Sequence, residues 1–408
     1  MTNKNTSLDK DLDPSIPCGK NENPSKARFV KKMDEICCDE QKAYEYLFQQ
    51  KFPYGFVCPI CGCTEYYPVQ KKRKGQRCST EKECLPLFEC KHCHHQESLY
   101  TGTVMHGSRL SPTVWMKAFR FFASDNTGIT SHALAGELGV NYRTARLISR
   151  KIKTAMEETN DEVVLGDCDI AEIDCFMMGG KSHGKRGRGA ENKVFIEAIV
   201  GKECVERSNG TVAERNVGVK FRMMKSETAK DVEGLLRDVL FDPERQARLA
   251  AAVDGCDFDD ETDYSSIPCT TAIRGDMSAA NMKLSKSEVW RMDLRNSKDV
   301  KKDNYIQSLD HFISNVEANV RGSHHGIPRR CLVLELAECE YNHRNRDLRP
   351  MEYFEQIITD MMSHVGKSGR YMENRFRQIE ANSFTLPDDP IMLHQNWDTN
   401  SRTAVNAF

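Results

Sequence analysis

The chain has 408 residues, 39% of them hydrophobic and 29% charged, with a formal net charge of −2. That length asks for two or three cores rather than one. There is no run of about 18 apolar residues to cross a bilayer, and the opening residues lack the charged-then-apolar layout of an export signal, so a soluble, cytoplasmic protein is expected. Seventeen cysteines, an odd number in a long chain without such a signal, point to free thiols and metal ligation in a reducing compartment.

Residues 1–27 are polar and aperiodic, which predicts a disordered arm. A helix over Asp39–Gln50 then leads into a cysteine-rich module, and residues 28–104 are read as an N-terminal helix and zinc ribbon. Cys58-Pro-Ile-Cys61 and Cys90-Lys-His-Cys93 are two CxxC knuckles separated by 28 residues. Four thiolates in that arrangement suit a tetrahedral Zn²⁺, whose binding energy helps fold a module too small to hold its own core. Cys63, Cys78, Cys84, His92, His94 and His95 lie close enough in sequence to substitute as ligands. Between the knuckles, Lys71, Lys72, Arg73, Lys74 and Arg77 offer a phosphate-contacting surface.

Residues 105–160 are read as a helix-turn-helix DNA-binding domain. Ser111–Ser124 has a capping serine, proline in the first turn, and Trp115, Phe119 and Phe122 at helical spacing. Thr130–Met156 reads as two helices broken at Gly139-Val140-Asn141, with Leu134, Leu138, Val140, Ala145 and Ile148 turned to one core. The overall charge hides a local excess here: eight basic residues against two acidic between Arg109 and Met156. A second helix starting near Asn141 turns Asn141, Tyr142, Arg143, Arg146 and Arg150 outward, a set suited to base edges and phosphates in a major groove.

Residues 165–355 change to β-like runs at Cys168–Phe176, Lys193–Val200, Val217–Met224 and Cys269–Asp276, with an amphipathic helix over Ser226–Phe241. Such an order predicts a mixed α/β domain with a central sheet. In IAEIDC, Glu172 and Asp174 share one face of a strand, because side chains alternate. A second strand ends on Asp276. Carboxylates at the ends of neighbouring strands suit Mg²⁺, which prefers oxygen ligands and in pairs clamps both reacting oxygens of a phosphodiester. A third acid is wanted from the helix over Tyr305–Val320, which offers Asp310 and Glu317. The acidic run 254–263 reads as a solvated loop, and 356–408 as a C-terminal extension.

The order of zinc ribbon, helix-turn-helix, IAEIDCFMMGGKSHGKRGRG, RGD, SLDHFISNVEANVRGSHHG and ECEYNHRNR resembles the zinc-ribbon insertion-sequence transposases of bacteria, the ISXO-like group related to the eukaryotic Merlin elements. The resemblance covers residues 50 to 350. It implies an RNase-H-like catalytic domain and a DDE-type triad, with Asp174 and Asp276 matching the first two acids. Aligned on Arg321-Gly322-Ser323-His324-His325, the third falls on Asp310, one methylene shorter than the usual glutamate; Gln307 stands where asparagine is common, and Glu317, where a basic residue is common, is the alternative third ligand. The resemblance also implies a transposase that binds terminal repeats, then cuts and joins strands with Mg²⁺ or Mn²⁺, working as a homo-oligomer on nucleoid DNA and away from membranes. Lys181, Lys185, Arg186 and Arg188 then hold DNA phosphates. His324 and His325 are further candidates for DNA contact. Two alternatives stand beside this reading: a transposase-derived DNA-binding protein impaired in catalysis by the altered third position, and an RNase-H-like nuclease.

Overall fold

A computed structural model of the chain describes residues 33–70, 86–124, 128–161, 165–166, 168–179, 193–207, 210–224, 227–240, 269–296, 298–299, 305–324 and 329–363. The expected disordered arm, the basic residues 71–77, Cys78 and Cys84, the basic loop carrying Lys181, Lys185, Arg186 and Arg188, the acidic run 254–263, His325, the His324 side chain and the extension from 364 on lie outside the described residues. The chain divides into two compact units. One comprises 1–99, 109–124 and 348–355, the other 100–108, 125–347 and 356–408.

In the first unit, α1 (Glu40–Lys51) starts where Asp39 accepts hydrogen bonds from the amides of Gln41 and Lys42, at 2.9 and 3.1 Å. An aspartate in this position satisfies helix donors that have no partner within the helix. Three short antiparallel strands follow, β1 (Tyr66–Gln70), β2 (Pro86–Cys90) and β3 (Gln96–Ser98), in the order β1-β2-β3. Their small core is aromatic: Phe88 is buried, with ring centroids 5.2 Å from Phe48 and 5.3 Å from Tyr66. Lys51 bridges α1 to β3 through Glu97 at 2.7 Å and the carbonyl of Ser98 at 2.6 Å. Helix α2 (Pro112–Ser124) buries Trp115, Met116, Phe119 and Phe122, and it packs on α1, the helix before it.

The second unit begins with α3 (Ser131–Leu138), capped by the Thr130 hydroxyl on the amide of Ala133. It stops at Gly139, whose φ of 64° is left-handed and strained for any residue with a side chain. Helix α4 (Tyr142–Asp161) follows, capped by Asn141, whose Oδ1 accepts from the Arg143 amide at 2.8 Å. Leu134, Leu138, Ala145 and Ile148 are buried between the two helices or beneath them, and Val140 is half-buried.

A five-stranded sheet follows, made of β4 (Ile170–Gly179), β5 (Lys193–Glu206), β6 (Val212–Met224), β7 (Ala272–Asp276) and β8 (Arg291–Arg295), in the order β6-β5-β4-β7-β8. β4, β5 and β6 form an antiparallel meander, whereas β7 runs parallel to β4 and β8 parallel to β7. One face packs on α5 (Ala229–Leu240) and α6 (Ala279–Leu284), through Ala171, Ile173, Ile199 and Ile273 against Val232, Leu235, Leu236 and Leu284. The other packs on α7 (Gln307–His324) and α8 (Arg329–Arg344), through Phe176, Ile196, Ala198 and Val200 against Leu309, Phe312, Val316 and Leu336. The last helix, α9, spans Pro350–Ser363. Gly201 and Gly218 face one another across β5 and β6 under the segment at Leu165. A Cβ on Gly218 falls 2.9 Å from Leu165 Cδ2, so a larger residue there requires the Leu165 side chain to shift.

Basic residues of α4 counted in the local charge excess differ in role. Lys153 is almost wholly buried and forms ion pairs with Glu335 at 2.6 Å and Glu338 at 2.9 Å on α8. Lys151 donates to the carbonyl of His106 at 2.7 Å, and in the first unit Arg120 pairs with Asp34. A charge buried beside two carboxylates serves cohesion, because removing one partner leaves the others uncompensated in low dielectric. Lys153→Ala is expected to lower unfolding free energy by about 3–5 kcal/mol in urea titrations, whereas Arg143→Ala, at an exposed position, changes it by less than about 0.5 kcal/mol.

Candidate metal centres

The two knuckles fold into the same turn twice. The amide of Gly62 donates to the carbonyl of Cys58 at 2.9 Å, and that of His94 to the carbonyl of Cys90 at 3.0 Å. Both turns need positive φ just after the second cysteine, at 70° for Gly62 and 57° for His94. These turns bring together Cys58, Cys61, Cys90 and Cys93, whose sulfurs all lie within 4.8 Å of one another. Cys58 and Cys93 sulfurs are 3.5 Å apart, as are those of Cys61 and Cys90. Tetrahedral Zn–S bonds of 2.3 Å imply edges of about 3.8 Å, so the four thiols fit a structural Zn²⁺. Crowding splits the thiols: Cys90 is drawn down to about 6, first by the backbone amide of Cys93, whereas Cys61, despite the lowering pull of the Cys63 backbone, is pushed up to about 12 by desolvation and the neighbouring sulfurs, and Cys93 is raised as well. Cys63, His94 and His95 stay out of the cluster: Cys63 is 3.8 Å from the carbonyl of Glu65, and the two histidines meet Glu89 and Glu97.

The acids occupy one end of the five-stranded sheet. Glu172 and Arg274 are the last paired positions of β4 and β7; Asp174 and Asp276 lie two residues beyond on each parallel strand, and so on one face. Asp310 comes from the first turn of α7, which packs on β4 and β5 on that same side. The Asp174 carboxyl is pushed up to about 7, first by burial and then by the negative charge of Asp276, with Asp310 and Glu227 adding to it. Its Oδ1 accepts from the amide of Cys175 at 2.8 Å. Asp276 is tied down by its own following turn, its Oδ1 accepting from the Ser278 amide at 3.2 Å and from Asn281 Nδ2 at 3.3 Å. Glu317 sits two turns from Asp310, about 10.5 Å further along the axis of α7. Among the described residues the acids do not gather their oxygens as tightly as the four thiols do; sites that hold two cations spread their ligands around ions about 3.5–4 Å apart. As a donor set, three aspartates suit Mg²⁺ or Mn²⁺.

Residues 38–96 match the family model of the transposase zinc-ribbon domain. No curated protein matches the chain. The first unit therefore carries a transposase zinc ribbon, and the match supports a transposase whose ribbon holds a structural zinc. No helix among the described residues is long and apolar enough to cross a membrane.

Beyond the ribbon, the candidate DNA-contacting residues at the start of α4 separate into two kinds. Tyr142 and Arg143 are exposed, with the Tyr142 ring 4.7 Å from that of His132; Arg146 and Arg150 are half-buried. Asn141 is exposed too, but its carboxamide oxygen is used in capping the helix.

Three polar groups near the acids carried no sequence signal of their own. Glu197 on β5 is 2% exposed; its carboxyl shares a hydrogen bond with Cys175, and among the described residues its Oε2 meets no hydrogen-bond partner. Burial, then Asp174 and Glu227, push its carboxyl up to about 8. It stands opposite Cys175 in the ladder, within a run, VFIEAIV, that otherwise reads as a plain buried strand. Glu227 precedes α5, where an acid looks like ordinary helix-start chemistry. Asn281 is buried in α6 and holds Asp276 by side chain and main chain alike.

Both raised carboxyls hold a proton in the native state at a pH where the unfolded chain has released it, so stability falls as pH rises. For the Mg²⁺-free protein the loss spans the window from the ordinary values near 4 up to about 7 for Asp174 and about 8 for Glu197. The urea midpoint of the Mg²⁺-free protein is expected to fall between pH 5 and pH 8, and Glu197→Gln to flatten that slope; an unchanged slope in the variant contradicts the assignment. Zinc removal has a separate signature. Cys90→Ser is expected to lose the bound zinc, measured by metal analysis, and to unfold the ribbon while the circular dichroism of the remaining helices persists.

Proposed function

We propose that the chain is an insertion-sequence transposase of the DDE type, in which Asp174, Asp276 and Asp310 hold the cations that drive DNA strand cleavage and joining. The observation that carries this reading is the convergence of three aspartates, from β4, β7 and α7, on one end of the sheet, in a chain that also bears a transposase zinc ribbon. The sheet order, with an antiparallel meander of three strands followed by two parallel ones, is the arrangement of an RNase-H-like domain and supports the same reading.

Divalent ions supply a charge that activates the attacking water or 3′-OH and stabilises the leaving oxygen. The protein's own part is positional. β4 and β7 hold Asp174 and Asp276 in neighbouring parallel strands, α7 delivers Asp310, and Asn281 keeps the Asp276 carboxyl from turning away. Rate then comes from placement and charge, with no covalent protein intermediate. The zinc ribbon and the helix-turn-helix formed by α3 and α4 bind the terminal repeats, with Tyr142, Arg143, Arg146 and Arg150 facing DNA and Asn141 fixing the start of the recognition helix. Lys181, Lys185, Arg186 and Arg188 hold DNA by its phosphates. Pairing of two element ends calls for a second copy of the chain on the DNA.

The test is nicking and joining of DNA carrying the ends that flank the gene, with Mg²⁺ or Mn²⁺. Asp174→Ala, Asp276→Ala and Asp310→Ala are each expected to reduce product formation by about 10²-fold or more, while Glu317→Ala stays within about twofold of wild type. Specific binding without nicking by the wild-type chain replaces this reading with that of a DNA-binding protein lacking cleavage.

A further inference from the structure

We infer that Glu172 is the positioning residue that sets Asp310 into the cation site, by acting as the N-terminal cap of α7 from a different strand. The inference rests on the reading of Asp174, Asp276 and Asp310 as cation ligands.

The first turn of any helix leaves amides without partners, and a side-chain oxygen just before the helix normally meets one of them. Among the described residues, none just before helix α7 plays this part. Its first backbone bond runs from the Asp310 amide to the carbonyl of Ile306 at 3.0 Å, which puts Ile306 in the capping position, and Ile306 is a buried hydrocarbon with no oxygen to offer. The Leu309 amide, one residue before Asp310, is met instead by Glu172 Oε2 at 3.0 Å, from a residue 137 positions earlier on β4. Glu172 is wholly buried, and its other oxygen pairs with Lys202 of β5. Lys202 continues to Glu214 at 3.0 Å, and Glu214 to Arg274 of β7 at 2.8 Å. Arg274 and Arg295 lie over the ring of Tyr305, 5.7 and 3.8 Å from its centroid, just ahead of α7. Four strands therefore grip the beginning of one helix through a single ionic chain.

Placement gives this grip its consequence. Glu172 lies two residues before Asp174 on the same face of β4, and its contact falls on the residue before Asp310. One carboxylate thus fixes the distance between the first and third acids. A buried ion pair contributes little net stability compared with apolar residues of the same volume; what this one supplies is register, since a helix N-terminus favours negative charge and Glu172 meets it from a fixed point on β4.

The experiment compares wild type, Glu172→Ala, Glu172→Gln, Asp174→Ala and Asp310→Ala in the full chain. Glutamine keeps an oxygen for the Leu309 amide and gives up the charge. Hydrogen exchange at the Leu309 amide is expected to speed up about 100-fold in Glu172→Ala, with the core amides of β4 unchanged, and to stay within about tenfold of wild type in Glu172→Gln. Mn²⁺ titration followed by paramagnetic resonance is expected to shift to weaker binding by about 10–100-fold in Glu172→Ala, the range found when residues supporting metal ligands are removed, with most of the affinity regained in Glu172→Gln. In cleavage assays kcat falls and KM for DNA holds. Leu309 exchange and Mn²⁺ binding like wild type in folded Glu172→Ala overturn the proposal, provided Asp310→Ala weakens Mn²⁺. If Glu172→Ala does not fold, Glu172→Gln decides: a Leu309 amide exchanging as fast as the solvent limit overturns the cap. Mn²⁺ binding untouched by both Asp174→Ala and Asp310→Ala refutes the underlying site itself, while the exchange result still reports on the cap.

Discussion

Mutual repulsion of carboxylates is the constraint around which the second unit is built. Neighbouring strands lie about 4.8 Å apart, and two like charges about 5 Å apart repel by roughly 3 kcal/mol at an effective dielectric of about 20. Asp174 and Asp276 are set side by side on such strands, Asp310 is added from α7, and Glu197 and Glu227 press on the same region. A fold that relaxed this crowding would let the strand ends splay. Here the sheet is locked by side chains that do not share the repulsion, the Glu172–Lys202–Glu214–Arg274 chain and the Asn281 clamp on Asp276, while the buried Lys153 ties α4 to α8 through Glu335 and Glu338. The neutral forms of Asp174 and Glu197 relieve the crowding, and the divalent ion proposed for this site would relieve it when bound.

Much of this was legible in the sequence where local chemistry alone decides structure. The helix expected over Asp39–Gln50, the break at Gly139-Val140-Asn141 and the stripe Val232, Leu235, Leu236, Val239 and Leu240 of α5 depend on nearest neighbours and on helical period. The two CxxC knuckles were equally plain, since tight turns with left-handed Gly62 and His94 are what that spacing demands. Strand limits were less so. β5 continues six residues past Val200, and β6 begins at Val212, because this outer hairpin is exposed and its alternation is hidden by the bulge at Gly201 and Lys202. The short strand β8, RMDLR, with its half-buried and exposed positions, carries no hydrophobic run to betray it.

What the sequence hid were long-range pairings. Lys151 and Lys153 look like any basic residues of a DNA-facing helix, yet their partners, His106 and the α8 glutamates, are remote in sequence. The same holds for Glu172: alternation puts it on the face of Asp174, which suggests a second metal ligand, while its partners, Lys202 and the Leu309 amide, are remote in sequence. ECEYNHRNR, a motif of the resemblance, also has structural work. Tyr341 is buried with its hydroxyl 2.6 Å from Asp360, Arg344 reaches the carbonyl of Thr159, and His343, driven down to about 4 by burial, stands edge-on to Phe312. These contacts hold α8 against α4, α7 and α9.

The most direct measurement is anomalous diffraction from crystals of the protein grown with Mn²⁺. The expected result is density for manganese bounded by the carboxylates of Asp174, Asp276 and Asp310, with Glu172 still bonded to Lys202 and the Leu309 amide. Manganese ligated by Glu172, or held by Glu197 and Glu227 with Asp310 turned away, contradicts the division between acids that bind cations and the acid that positions them.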